Sequence, residues 1–289
     1  MAEVGSTFTA VEVVDRGIGT DEAATTVEKK TTRGQCCISP PSCDYQALGH
    51  DETWNSLPVY IAGPSLSPAP SSAVLIISDI YGWRVPQTRQ LADKIAAAGH
   101  FVVVPDFMEG EPYASTDPNQ EYGGLHEYLE RHSKRKAINH AKEVLEKIHT
   151  MGFHVIGAAG FCWGAKILVN LLKGDTAVGA GIMCHPSFLT TDDIKEVKVP
   201  LAILGAEIDI ITPPKMVLEF ESILKASPDV GHQSYCNIYP DADHGWTTRY
   251  EPNNLEARNR AETAHGEIIS WFQTHLHRST SADSQSENT

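Results

Sequence analysis

Gly160-Phe161-Cys162-Trp163-Gly164 is the stretch on which the fold turns. It follows the apolar run His154 to Ala158, closed by Ala159, and opens a helical pattern over residues 164–173. A cysteine therefore stands at a sharp strand-to-helix turn with a glycine two residues to either side. Such a turn strains the backbone at the central residue, and side chains at the flanking positions would collide with the neighbouring strand and helix. The helix N-terminus beneath Cys162 supplies partial positive charge, which favours a thiolate. Cysteine is usually a small buried hydrophobe, the reading that suits Cys184 and Cys236. For Cys162 the glycine flanks reverse that prior.

Working outward, short β-branched runs alternate with longer helical patterns. The runs are Val74 to Ser78, Phe101 to Val104, His154 to Ala158, Val178 to Met183, Leu201 to Leu204 and Tyr235 to Tyr239. Helical patterns cover 87–98, 134–149, 164–173, 214–225 and 254–276. Val59-Tyr60-Ile61, followed by the Pro/Ser-rich turn to Pro70, predicts an edge strand and its exit. The alternation predicts an α/β fold, a mostly parallel sheet with helices on both faces, and a ligand crevice outside the carboxyl ends of the strands.

Chemistry-bearing residues follow those strand ends. Asp209 lies in Gly205-Ala206-Glu207-Ile208-Asp209 after one run, and His244 in Asp241-Ala242-Asp243-His244-Gly245-Trp246 after the last. The order nucleophile, acid, histidine is that of an α/β-hydrolase, here one domain over 34–277. Glu207 is the rival acid, with a solvent-facing position as its plainer reading. Asp79-Ile80-Tyr81-Gly82-Trp83 follows Val74 to Ser78, so the backbone N–H of Ile80, with that of Trp163, is expected to form an oxyanion hole. Asp79 has two readings, a turn cap or a modulator of the thiol. His185 reads first as a packing residue. Trp83, Trp163 and Trp246 read either as an aromatic substrate wall or as packing.

Bulk properties bound the rest. The chain has 289 residues, 41% of them hydrophobic, a formal net charge of −14 and a pI near 5.3. Acidity argues against nucleic-acid and anionic-membrane partners. No stretch has transmembrane length, and Asp15, Asp21, Glu22 and Glu28 fit no leader, so a cytoplasmic protein is expected. Residues 1–33 and 278–289 read as disordered tails. The six cysteines follow no disulfide framework. Cys36, Cys37 and Cys43 lack zinc spacing, and the pair His275-x-His277 fits a helix C-terminus better than a metal site, so no metal is expected.

Asp79-Ile80-Tyr81-Gly82, the Cys162 pentapeptide, His185-Pro186-Ser187-Phe188, Gly205 to Asp209 with Pro213, and Asp243-His244-Gly245 together resemble the dienelactone hydrolases, or carboxymethylenebutenolidases. The likeness runs from about Cys36 to His275, and the start resembles eukaryotic members. It implies a single α/β-hydrolase domain that opens enol-lactones with the triad Cys162, His244 and Asp209, without metal or organic cofactor. It also implies an acidic residue beside the resting thiol, the slot of Asp79, and arginines gripping a substrate carboxylate. Arg249 stands near one such position, and the second stays open among Arg84, Arg131 and Arg135. Tyr81, Trp83 and Trp246 complete the expected substrate contacts. The expected partner is a small lactone or ester, and the expected state is monomer or homodimer. Two alternatives stand beside this reading: a hydrolase of other esters or thioesters, including the glucan activity named for some plant relatives, and a non-catalytic redox-sensing or binding protein.

Overall fold

Among the described residues the chain forms eight strands and seven helices, most of them where the apolar runs and helical periods place them. In chain order they are β1 (His50–Trp54), β2 (Leu57–Ala62), β3 (Ala73–Ile77), α1 (Pro86–Ala97), β4 (Phe101–Pro105), α2 (Leu125–Arg131), α3 (Lys134–Thr150), β5 (Ile156–Phe161), α4 (Trp163–Leu171), β6 (Val178–Cys184), α5 (Thr191–Lys195), β7 (Leu201–Ala206), α6 (Pro214–Ala226), β8 (Tyr235–Tyr239) and α7 (Leu255–His275). The structure is a computed structural model that describes residues 40–41, 43–63, 70–117, 122–174 and 176–276. Everything described falls within one unit that begins at Gln35. The expected tails, Cys36, Cys37 and His277 lie outside the described residues.

The strands form one sheet in the order β1-β2-β4-β3-β5-β6-β7-β8. The pairs β1–β2 and β2–β4 are antiparallel, and the other five are parallel. The chain passes from β3 to β4 on one side and returns with β5 on the other. That reversal opens a crevice at the carboxyl ends of β3 and β5, where Asp79 and Cys162 stand.

Side-chain alternation sorts the core into two layers. One contains Leu75, Ile77, Ala158 and Met183 with residues of α3, α4 and α6; the other contains Val74, Ile76, Ala159 and Ile182 with residues of α1 and α7. Helices thus cover both faces. Their starts obey local chemistry: Ser133 and Asn254 accept from the amides of Lys136 and Ala257, and Pro86 and Pro214 occupy first turns.

One element departs from the sequence reading. Val59-Tyr60-Ile61 is not an edge: β2 is the second strand, and β1 lies outside it. The sequence of β1, His-Asp-Glu-Thr-Trp, is solvent-exposed over its first four residues and carries no apolar alternation to reveal it. The short helices α2 and α5 were also invisible to periodicity. Among the described residues, no helix is long and apolar enough to cross a membrane.

Candidate active site

Cys162 sits at the N-cap of α4 with φ 51° and ψ −113°, a strained conformation for a residue with a side chain. Its flanking glycines are sterically required. A Cβ on Gly160 would lie 2.9 Å from the Ala165 Cα, and one on Gly164 would lie 2.2 Å from the carbonyl oxygen of Ile77. The strand-turn-helix thus holds the thiol over the start of α4.

His244 and Asp209 meet this thiol from the loops after β8 and β7. His244 Nδ1 donates to Asp209 Oδ2 at 2.7 Å, and Asp209 Oδ1 accepts from the amides of Ile211 at 2.8 Å and Thr212 at 3.1 Å. These bonds fix both the carboxylate and the imidazole tautomer. The charge of His244 favours the Cys162 thiolate. Cys162 is 6%, Asp209 3% and His244 5% exposed, so bulk water scarcely dilutes these interactions. Glu207 turns outward and accepts from the Asp241 amide.

Burial disfavours a thiolate, yet the charge of His244, followed by that of Arg249, brings the Cys162 thiol below its ordinary value; Asp79 pulls the other way. Burial likewise works against an imidazolium. The Cys162 charge and the Asp209 bond outweigh it and raise His244 to about 9. The arrangement therefore favours a thiolate–imidazolium pair. Among the described residues, the amides of Ile80 and Trp163 have no hydrogen-bond acceptor, which leaves both available to an oxyanion.

Asp79 is a turn cap and something more. Its Oδ1 accepts from the Tyr81 amide at 2.9 Å, while Oδ2 lies 3.1 Å from Arg249 Nη1. Arg249, expected near a substrate carboxylate, is engaged within the protein. It is 1% exposed, its Nη2 donates to the His244 carbonyl at 3.3 Å, and its guanidinium lies 5.0 Å from the Tyr81 ring centre. Already paired and buried, it ties the loop after β3 to the loop after β8. Gly245 makes room for it, since a Cβ there would lie 2.0 Å from Nη2.

The positions of Trp83 and Trp246 suit packing, one of the two readings open to them. Both belong to the core layer of α1 and α7, opposite the layer that holds Cys162, and their rings pack against Arg84, Arg89 and Tyr239. Tyr81 does share the layer of Cys162. His185 is fully buried, bonds Thr247 Oγ1 at 2.7 Å and is held neutral by burial and the neighbouring charges of His244 and Arg249.

Sequence reasoning missed Ser187. Its Oγ lies 3.4 Å from Cys162 Sγ and 3.3 Å from His244 Nε2. Serines in loops are common, and only the segment His185-Pro186-Ser187-Phe188 as a unit pointed toward it.

An endo-1,3;1,4-beta-D-glucanase of Zea mays is 39% identical over 81% of this chain and 75% of its own length. The human carboxymethylenebutenolidase homolog is 27% identical over 81% of this chain and 94% of its own. Among solved structures, a candidate dienelactone hydrolase from Klebsiella pneumoniae superposes with a TM-score of 0.66 at 18% identity, covering 79% of this chain and 99% of that one. The Pyrococcus furiosus esterase Pf2001 gives 0.58 at 13%, covering 81% and 94%. Both structures support the α/β-hydrolase fold. The dienelactone hydrolase family model matches residues 57–276, strand β2 to the end of α7, and the chain belongs to that family of ester-bond hydrolases.

Proposed function

We propose that the protein is a cysteine-dependent hydrolase that opens lactones and cleaves small esters through Cys162, His244 and Asp209, with dienelactone-type enol-lactones as its first substrate class. The observation that carries this reading is the buried line from Asp209 through His244 to the thiol, facing two uncommitted amides. The thiolate attacks the carbonyl carbon, a C–S bond forms, and the carbonyl electron pair moves to an oxygen held by the Ile80 and Trp163 amides. Collapse of that adduct expels the alkoxide or enolate, which takes its proton from His244. Water, deprotonated by His244, then breaks the thioester and releases the thiolate. No metal or organic cofactor enters any step.

The rim supports the substrate class. Phe188, Ile208 and Ile210, beside Ser187 and Asp209 in the chain, are 41%, 57% and 77% exposed, which suits an apolar acyl or lactone body. With Arg249 committed to Asp79, the cation we assign to a substrate carboxylate is Lys134. Its ammonium lies 4.2 Å from the Phe188 ring centre and pairs with no carboxylate among the described residues. Tyr81 is kept as a substrate contact. The net charge of −14 supports a small-molecule partner over nucleic acid or membrane, and the free Cys43, Cys162, Cys184 and Cys236 support a reducing, cytoplasmic setting.

The name of the maize relative raises a glucan-cleaving alternative. Glycoside hydrolysis employs two carboxyl groups flanking the sugar bond, whereas Asp79 and Asp209 are buried and committed to Arg249 and His244. Purified protein should be assayed against enol-lactones with and without a carboxylate, p-nitrophenyl esters and β-glucans, beside Cys162→Ala. Lactone or ester turnover lost in Cys162→Ala is expected, with Lys134→Gln raising KM only for the carboxylate-bearing lactone. Glucan cleavage that survives Cys162→Ala would sink the proposal.

A further inference from the structure

We propose that Ser187 is a fourth catalytic residue, whose hydroxyl holds the Cys162 thiolate in the resting enzyme and again when the thiolate leaves the thioester. The inference rests on the thiol chemistry proposed above and adds to the triad a group that touches the reacting sulfur.

Geometry carries it. Ser187 Oγ stands 3.4 Å from Cys162 Sγ and 3.3 Å from His244 Nε2, so the hydroxyl bridges the thiol and the imidazole. The residue is 1% exposed, so no bulk water competes for the sulfur from that side. It is anchored at both ends. The Ser187 amide donates to the Cys162 carbonyl at 3.0 Å, and the Pro186 carbonyl accepts from Thr212 Oγ1 at 2.6 Å. Thr212 in turn donates its amide to Asp209 Oδ1, so the serine is fixed to the nucleophile's backbone and to the acid's turn. His185 and Phe188 on either side have positive φ values of 36° and 63°, a strained kink that points the intervening hydroxyl at the sulfur.

A hydroxyl in this place has one donor and two acceptor lone pairs. With the thiolate–imidazolium pair formed, Oγ–H donates to Sγ and Oγ accepts from the protonated Nε2. Both bonds are charge-assisted and stronger than neutral ones. When the C–S bond forms, the sulfur loses its charge and the first bond weakens. When the tetrahedral adduct of water and thioester collapses, the C–S bond breaks, its electron pair returns to sulfur, and the hydroxyl again stabilises the anion. Ser187 begins and ends the cycle neutral. Removing it therefore penalises the resting thiolate and slows thioester breakdown more than its formation.

The test uses the full chain. Ser187→Ala and Ser187→Gly remove the hydroxyl and keep the backbone bonds; Ser187→Thr keeps the hydroxyl. Alkylation of Cys162 by iodoacetamide is followed by mass spectrometry from pH 5 to 10. In the Ala and Gly variants the apparent thiol pKa should rise by about one unit, slowing alkylation about tenfold on the acidic limb, with Thr restoring it. With a p-nitrophenyl ester, the Ala variant should show a burst and a lower kcat at unchanged or lower KM, as acyl-enzyme accumulates. An unchanged thiol pKa in the variants, or a loss of rate with no shift of the pH profile, would overturn the proposal and leave Ser187 a packing residue. The alkylation arm needs no substrate, so it stands or falls apart from the lactonase reading, which Cys162→Ala tests.

Discussion

Cys162 and Cys184 are near neighbours with opposite chemistry. The Cys162 amide donates to the Cys184 carbonyl, and Phe161 and Cys184 are partners in the register of β5 and β6. Both thiols are buried, at 6% and 0% exposure. Burial and the charge of Glu267 push the Cys184 thiol far above its ordinary value, whereas His244 and Arg249 bring Cys162 below it against the same burial. Burial therefore does not decide reactivity here. What decides it is whether the sulfur faces cations and a helix start, as beyond β5, or a carboxylate within an apolar layer, as on β6.

The largest effect that would sharpen this contrast is loss of the reactive sulfur. Cys162→Ala is expected to reduce kcat/KM on a p-nitrophenyl ester by on the order of a thousandfold or more, with an unchanged circular dichroism spectrum. Cys184→Ala should leave kcat/KM within about twofold and instead lower stability by about 1 kcal/mol in urea melts, since it leaves a small cavity. Equal loss of activity in the two variants would erase the distinction.

Removing the cation should make Cys162 behave more like Cys184. His244→Ala and Asp209→Asn are each expected to lower turnover by about a hundredfold or more, and neither should add to Cys162→Ala. Because Asp209 helps raise His244 to about 9, Asp209→Asn should lower the imidazolium pKa and slow Cys162 alkylation at pH 7 by about tenfold. In the native enzyme, alkylation of Cys162 should persist well below pH 9 while Cys184 stays unmodified. Prompt labelling of Cys184 in folded protein would count against its assignment to the closed layer.

Changing the anions should move Cys162 the other way, and less. Asp79 raises the thiol pKa, so Asp79→Asn should lower it further and speed iodoacetamide alkylation at acidic pH by a few fold. Turnover should fall nonetheless. The variant leaves Arg249 without its ion partner and weakens the turn that presents the Ile80 amide. Smallest of all is Glu207→Gln, expected to leave kcat/KM within about twofold because its carboxylate only caps Asp241 at the surface. A larger loss there would transfer the acid role from Asp209 to Glu207.

Much of this was legible from residues that the architecture leaves no freedom to vary. The glycines around Cys162 and the strand-end positions of Asp209 and His244 carry strong local constraints, so their pattern named the fold and placed three side chains that the structure brings together. Other features depend on partners distant in the chain. Arg249 looked like a substrate grip because its pairing with Asp79 joins residues 170 positions apart. Ser187 hid because no local rule distinguishes a hydroxyl between a buried thiol and an imidazole from a solvated loop serine. Strand β1 hid for a third reason: its polar residues face solvent, and only backbone pairing with β2 makes it a strand.

The missing side chain at Gly164 has a consequence for how such a site can diversify. Space for a Cβ there is occupied by the carbonyl oxygens of Ile77 and Ser78, so the first turn of α4 rests directly on the end of β3, main chain against main chain. The spacing between the two amides we assign to the oxyanion is thereby set like the distance between two machined faces pressed together, with no side chain serving as a shim. Residues we assign to the substrate, such as Phe188, Ile208 or Lys134, can then be exchanged for others without retuning that distance. A site built on this contact can change the substrate it takes while its charge-stabilising geometry stays fixed.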